Sequence, residues 1–201
     1  MTEQPCEHPE PGDLTARSPL SVELTPGTTF SRIHDRNYGP IFFGRTGRYR
    51  FDSPDRNFGV LYVGRHESCA FIETFGQETG IRVVTRTALE ERHLSYLKTT
   101  LPLTLIDLAS SGSLAHLGAD SRLFSGSRAV AQRWSAALRG HPVKPAGILY
   151  PARHDPARNA CALFDLPSSA FEVTSAGSLL DLGHTILLAE ILDRYDFGLI
   201  D

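Results

Sequence analysis

A single α+β domain is the fold class this sequence predicts. Short strand-like apolar runs and helical stretches follow one another irregularly, without the strict strand and helix alternation of a doubly wound parallel sheet. At 201 residues and 41% hydrophobic content the chain is long enough for one substantial core and short for two. No internal repeat or low-complexity block interrupts it.

Residues 1–26 are rich in proline and poor in apolar side chains, so they read as a flexible N-terminal extension, mobile or lying against the surface. The domain is expected over residues 28–201. TTFSRIHD alternates as a strand, NYGPIFFGRTG is a loop, and RYRF reads as a further strand before the turn DSPDRNFG. VLYVG is a compact strand, and HESCAFIETFG is a short helix with Gly76 as its stop.

IRVVTRTALE, in part, and LPLTLIDLA are the next strands, the second dense enough to be interior. SSGSLAHLGAD is a loop with a short helix. In SRAVAQRWSAALRG, Val130, Trp134, Ala137 and Leu138 fall near helical spacing, with Gly140 as the stop. PAGILYPAR and ACALFD read as paired strands joined by the turn HDPARN. FEVTSAGSLLDLG leads into a final helix, HTILLAEILDRYDF, carrying Ile186, Leu187, Ala189, Ile191 and Leu192.

Composition excludes several functions. A net charge of −3 with 21% charged residues lacks the clustered basic stripe of a nucleic-acid binder. Of the 20 basic residues only Lys98 and Lys144 are lysine, and a cleft rich in arginine suits a phosphorylated ligand. Cys6, Cys69 and Cys161 are odd in number and far apart, which argues against a disulfide framework and a zinc site and for a reducing cytoplasm. No apolar run approaches the roughly 20 residues that cross a bilayer, and the N-terminus lacks the order of a signal peptide.

The common catalytic motifs are missing. There is no GxxxxGK[ST], and GRTGRYRF lacks the strand, glycine loop and helix context of a dinucleotide fingerprint. The eight histidines show no HExxH or other ligand spacing, so no metal is assigned. Ser110, Ser111, Gly112 and Ser113 form no nucleophile elbow. Cys69, beside His66, reads as a small buried thiol rather than a nucleophile.

One set of residues remains: Arg32 in FSRIHD, Arg50 in RYRFD, Tyr62 in VLYVG, Glu73 in FIETF, then GILYPARHDP and CALFD. In this order, from about Phe30 to Phe164, with a leucine–aspartate strand and a Gln–Trp helix between, they resemble the RES domain family. Each motif is short, and their sequence along the chain carries the resemblance. It implies a small mixed or antiparallel sheet core similar to ADP-ribosyltransferases, with helices around it. It also implies an NAD-degrading activity that cleaves the nicotinamide–ribose bond by hydrolysis or phosphorolysis. NAD is then substrate, phosphate a co-substrate, and no cofactor is needed. A toxin of this kind is expected to be restrained by a helix-turn-helix antitoxin.

By the same resemblance Glu73 stabilises positive charge on the ribose, and Arg32 and Arg50 grip pyrophosphate or ribose. Tyr62 stacks on nicotinamide or bonds its carboxamide. Arg48 alternates with Arg50, and the sequence does not say which of the two enters the cleft. Arg153 and His154 line the same pocket if PARHDP follows a strand end. Where the family reads Y-x-S-R this chain has Tyr150, Pro151, Ala152 and Arg153, so position 152 carries no hydroxyl. Two other readings stand beside this one: ADP-ribosyl transfer to a macromolecule, and a non-catalytic domain that binds a nucleotide or partner. The C-terminal helix and N-terminal extension are open to covering the site or building a homodimer.

Overall fold

Among the described residues eight strands form one sheet, in the order β1 (Ser21–Leu24), β6 (Leu103–Asp107), β7 (Gly147–Pro151), β8 (Asn159–Phe164), β3 (Val60–Gly64), β2 (Thr29–Asp35), β5 (Arg92–Thr99) and β9 (Phe171–Gly177). The computed structural model describes residues 8–78 and 80–201. Among the described residues only β6 and β7 run parallel in this sheet; the other neighbours are antiparallel. A second, two-stranded parallel sheet joins β4 (Val83–Thr85) to β10 (Gly198–Ile200). Six helices among the described residues complete the α+β fold: α1 (Glu67–Phe75), α2 (Arg86–Glu90), α3 (Ser113–Leu117), α4 (Arg122–Ser125), α5 (Arg128–Arg139) and α6 (Thr185–Tyr195).

Strand periodicity sorts the core onto two faces of the sheet. On β8, Ala160, Ala162 and Phe164 join Val60, Ile148 and Tyr150 under α5, where Val130, Trp134 and Leu138 cover them. Cys161 and Leu163 face the other way, into a cluster with Phe30, Leu61, Val63, Leu97 and Leu149. A third cluster packs α1, α2 and α6 on Ile33 and Leu94, through Phe71, Ile72, Leu89, Leu188 and Ile191.

The sheet is split in the middle. One registered pair, Ser31↔Gly64, joins β2 to β3, whereas β2 and β5 pair over seven positions and β3 and β8 over five. Residues 36–59 link the two strands that flank that split.

Three expectations need correction. RYRF is a turn, not a strand. The Asp52 carboxylate accepts the Tyr49 N–H at 3.2 Å and the Thr46 hydroxyl at 3.1 Å. The Phe51 N–H goes to the Tyr62 hydroxyl at 3.0 Å, so side chains replace a ladder. IRVVTRTALE is strand only in part, as expected: the short β4 turns into α2, which Thr85 caps by accepting the Ala88 N–H at 3.0 Å. The strand that fills the sheet there is β5, RHLSYLKT, whose polar residues hide it from a pattern reading.

The sheet is also larger than expected. Finally, the extension over 1–26 does not hang free along its described length but packs onto the domain. Leu14 is 4% exposed in the core under α5, the Trp134 indole donates to Pro9 O at 2.8 Å, Glu10 pairs with Arg133, and β1 adds an edge strand to β6. Residues 1–7, with Cys6, lie outside the described residues.

Candidate active site

Tyr62, Glu73, Ala152, Arg153 and His154 come from three segments: β3, α1 and the chain that follows β7. Gly64 ends β3 and lets α1 start against it: a Cβ there would lie 2.8 Å from Ala70 N and 2.9 Å from His66 O. Helix α1 then buries Cys69, Ala70, Phe71 and Ile72 and leaves Glu73, near its C-terminal end, half-buried on the flank facing the chain after β7.

Glu73 Oε1 accepts the backbone N–H of Arg153 at 2.9 Å. Among the described residues it forms no ion pair, with Arg50 or with another cation, so its charge is not used up in a structural pair. Burial pushes the Glu73 carboxyl above its ordinary value, and the Arg153 amide and then the Arg153 charge pull it back. A carboxylate so placed is poorly solvated, accepts a directed hydrogen bond and keeps lone pairs for a ligand.

Arg50, rather than Arg48, turns inward: Arg48 is exposed and Arg50 half-buried. Arg50 Nη1 donates to Leu123 O at 3.3 Å and to Gly126 O at 3.1 Å, tying its loop to α4 and the residue that caps its C-terminus. Burial lowers the Arg50 pKa first, and the neighbouring Arg153 and Arg128 charges lower it further. The Arg128 and Arg153 charges thus both act on Arg50, and Arg153 acts on Glu73 as well, a charge pattern suited to a polyanionic ligand. Arg128 carries no signal in the sequence, because a cation in the first turn of a helix looks like ordinary solvated surface.

Tyr62 is committed within the protein. Its hydroxyl donates to Asp52 Oδ1 at 3.0 Å and accepts the Phe51 N–H at 3.0 Å, leaving the ring, not the polar tip, for any ligand. Desolvation, followed by the Asp52 charge, holds its pKa well above the ordinary value, so it stays a phenol. Tyr49, 50% exposed, lies with its ring centroid 5.5 Å from that of Tyr62 and is the accessible aromatic here. Nothing in the spacing of RYRF singles it out.

Arg32 follows Ser31, the β2 residue whose pairing with Gly64 closes the split. Its Nη1 donates to Pro40 O, and burial brings its pKa down to about 10, opposed by nearby Tyr49, so it stays charged at neutral pH. His154 is half-buried and its pKa is lowered by desolvation and then by Arg153 and Arg82, which favours the neutral imidazole. Ala152 is 1% exposed in the core cluster that holds Phe51 and Tyr150, its N–H donated to Arg158 O at 2.8 Å. Cys69 is buried, and desolvation with the Glu73 charge pushes its thiol up to about 12, which makes it inert.

A groove of about 490 Å³, lined by Leu103, Arg139, Lys144 and Phe164 among others, shares no residue with this site.

Residues 29–183 match the RES domain family. The chain belongs to that family. It is 33% identical over 112 residues to Probable toxin y4kH of Sinorhizobium fredii, spanning 56% of this chain and 86% of the relative. Its fold is similar to that of a chain in the crystal structure of the M. tuberculosis MbcT–MbcA toxin–antitoxin complex, with a TM-score of 0.59 at 14% identity, over 85% of this chain and 92% of that one. The RES match covers Arg32, Arg50, Tyr62, Glu73 and Arg153, and leaves β1 before it and α6 after it.

Proposed function

We propose that this chain is a toxin-type enzyme that cleaves NAD between nicotinamide and ribose. The observation that carries the reading is Glu73: a poorly solvated carboxylate without an ion-pair partner among the described residues, oriented by the main-chain amide of Arg153, whose charge acts on both Glu73 and Arg50. The RES membership and the named relatives support it.

As the C1′–N bond breaks, its electron pair goes to the pyridinium nitrogen and nicotinamide leaves neutral. Positive charge develops on the ribose, and a preorganised carboxylate stabilises it most strongly where water is scarce. Glu73 supplies that charge in its ionised form. Arg50, with Arg32, Arg128 and Arg153, holds the pyrophosphate, and Tyr49 and the Tyr62 ring offer faces for a base. Water or phosphate then attacks C1′ and gives its proton to solvent. An antitoxin chain restrains the enzyme in the cell.

The test is incubation of purified protein with NAD, with and without phosphate, following nicotinamide by chromatography beside Glu73→Ala. Release that disappears in the variant is expected, with ADP-ribose or its 1-phosphate naming the acceptor. NAD binding without release in the wild-type protein would favour the non-catalytic reading, in which Ala152 marks a site that recognises a nucleotide.

A further inference from the structure

The Arg153 amide that meets Glu73 is held in place by an element outside the family match. The 152–158 segment is a tight turn between β7 and β8, closed by Arg158 N–H to Asp155 O and Ala152 N–H to Arg158 O, both at 2.8 Å. Its inner side chain is Asp155, 17% exposed, whose Oδ2 lies 4.0 Å from Arg158 Nε. The same oxygen accepts the Tyr195 hydroxyl at 2.8 Å. Tyr195 is the last residue of α6, which begins at Thr185, beyond the matched residues 29–183.

Helix α6 also touches the other partner. Leu188 and Ile191 pack in one cluster with Ala70, Phe71 and Ile72 of α1, the helix that carries Glu73. Just past Tyr195, Asp196 adopts a left-handed conformation with φ at 53°. The Phe197 N–H returns to Leu192 O at 2.9 Å. The Phe197 ring then meets Phe71 of α1 at 5.4 Å, edge to face. The phenol is therefore fixed relative to α1 from both sides.

We propose that Tyr195 and Asp155 are a positioning pair for Glu73: α6 docks on α1, its terminal phenol anchors Asp155, and the anchored turn presents the Arg153 N–H to the carboxylate. Neither residue touches the reacting atoms. The catalytic consequence rests on the function proposed above, and the positioning itself does not.

Two readouts keep these apart, both on the full chain. Tyr195→Phe keeps the ring and its packing, Asp155→Asn keeps the shape, and Glu190→Gln is an exposed change on α6. The first readout follows the Glu73 carboxyl carbon by NMR through a pH titration without substrate. Both variants are expected to titrate at higher pH than wild type, the double variant no higher than the singles, and Glu190→Gln as wild type. Wild-type titration in Tyr195→Phe and Asp155→Asn overturns the proposal; if Asp155→Asn does not fold, Tyr195→Phe decides it.

The second readout is nicotinamide release, where kcat is expected to fall roughly ten- to a hundredfold with KM nearly unchanged. Normal turnover in variants with a shifted Glu73 overturns the catalytic part alone. Absence of release from wild type fails the proposed function and leaves the titration to decide the positioning.

Discussion

Glu73 and Arg153 meet across 80 residues of sequence, carboxylate to backbone amide at 2.9 Å. Burial, opposed by this contact, sets how the site responds to acid. Burial raises the Glu73 pKa above the ordinary 4.5, so the ionised form needed to stabilise a cationic ribose is lost at a higher pH than for a solvated glutamate. The acid limb of kcat for nicotinamide release is expected above that value. Arg153→Ala keeps the amide and removes the charge that favours the carboxylate, so its limb should move further up. A pH–rate profile of the two proteins checks both statements.

The same shift has a sign for stability. A carboxyl whose folded pKa is raised binds more protons folded than unfolded, so it costs stability as pH rises from the unfolded value through the folded one, and nothing below. Glu73→Gln is therefore expected to raise Tm at pH 7, on the order of a few degrees, while abolishing release. The gain should vanish below about pH 4. Thermal unfolding of both proteins across this range measures it, and an unchanged difference between acid and neutral pH would count against a desolvated Glu73.

Tyr62→Phe removes a hydroxyl that serves two groups in a buried turn, the Asp52 carboxylate and the Phe51 N–H. Asp52 is 1% exposed. Losing one of its donors is expected to cost about 1–2 kcal/mol. Because that turn carries Arg50 and Tyr49, KM for NAD should rise as well. Denaturant unfolding and steady-state kinetics on one preparation test the pair of effects.

Much of this fold is legible in the sequence because its pieces obey one period each. VLYVG, GILYP and the CALF run are largely apolar since both sheet faces are covered there, and α5 shows a helical stripe around Trp134. β5 is not legible, because Ser95 is buried by a 3.0 Å contact with His34 Nε2, a pairing that only tertiary structure supplies. The turn at 48–51 mimics a strand because arginine and aromatic residues alternate while Asp52 does the organising. In the site, the order of motifs along the chain points to Glu73 and to an arginine at 48 or 50, and only the fold shows that Arg50 turns inward. The Arg153 amide, Arg128 and Tyr195 carry no local signal, since each acts through where the chain returns.

The segment ahead of β2 is expected to behave as core. Leu14 is packed under α5 with Trp134 and Leu138. Leu14→Ala should therefore cost about 2–4 kcal/mol. An exposed, mobile position would tolerate that change with little loss. Chemical denaturation separates the two, and a shift in the transition midpoint without a change in slope is the expected form.

Gly64 links strand packing to catalysis. Its missing side chain lets the first turn of α1 close on β3, and a Cβ would come within 2.8 Å of Ala70 N and 2.9 Å of His66 O. Those are backbone atoms, so the clash cannot be relieved by rotating a side chain; α1 must move. Gly64→Ala is thus expected to destabilise the protein by about 1–3 kcal/mol. The displaced helix carries Glu73 away from the Arg153 amide, so kcat should fall by more than the lost folded fraction explains. Gly183→Ala, where a Cβ meets nothing within 4 Å, is the matched control and should keep both stability and turnover. Unfolding curves with rates corrected for folded protein distinguish a helix pushed out of register from a uniform loss of stability.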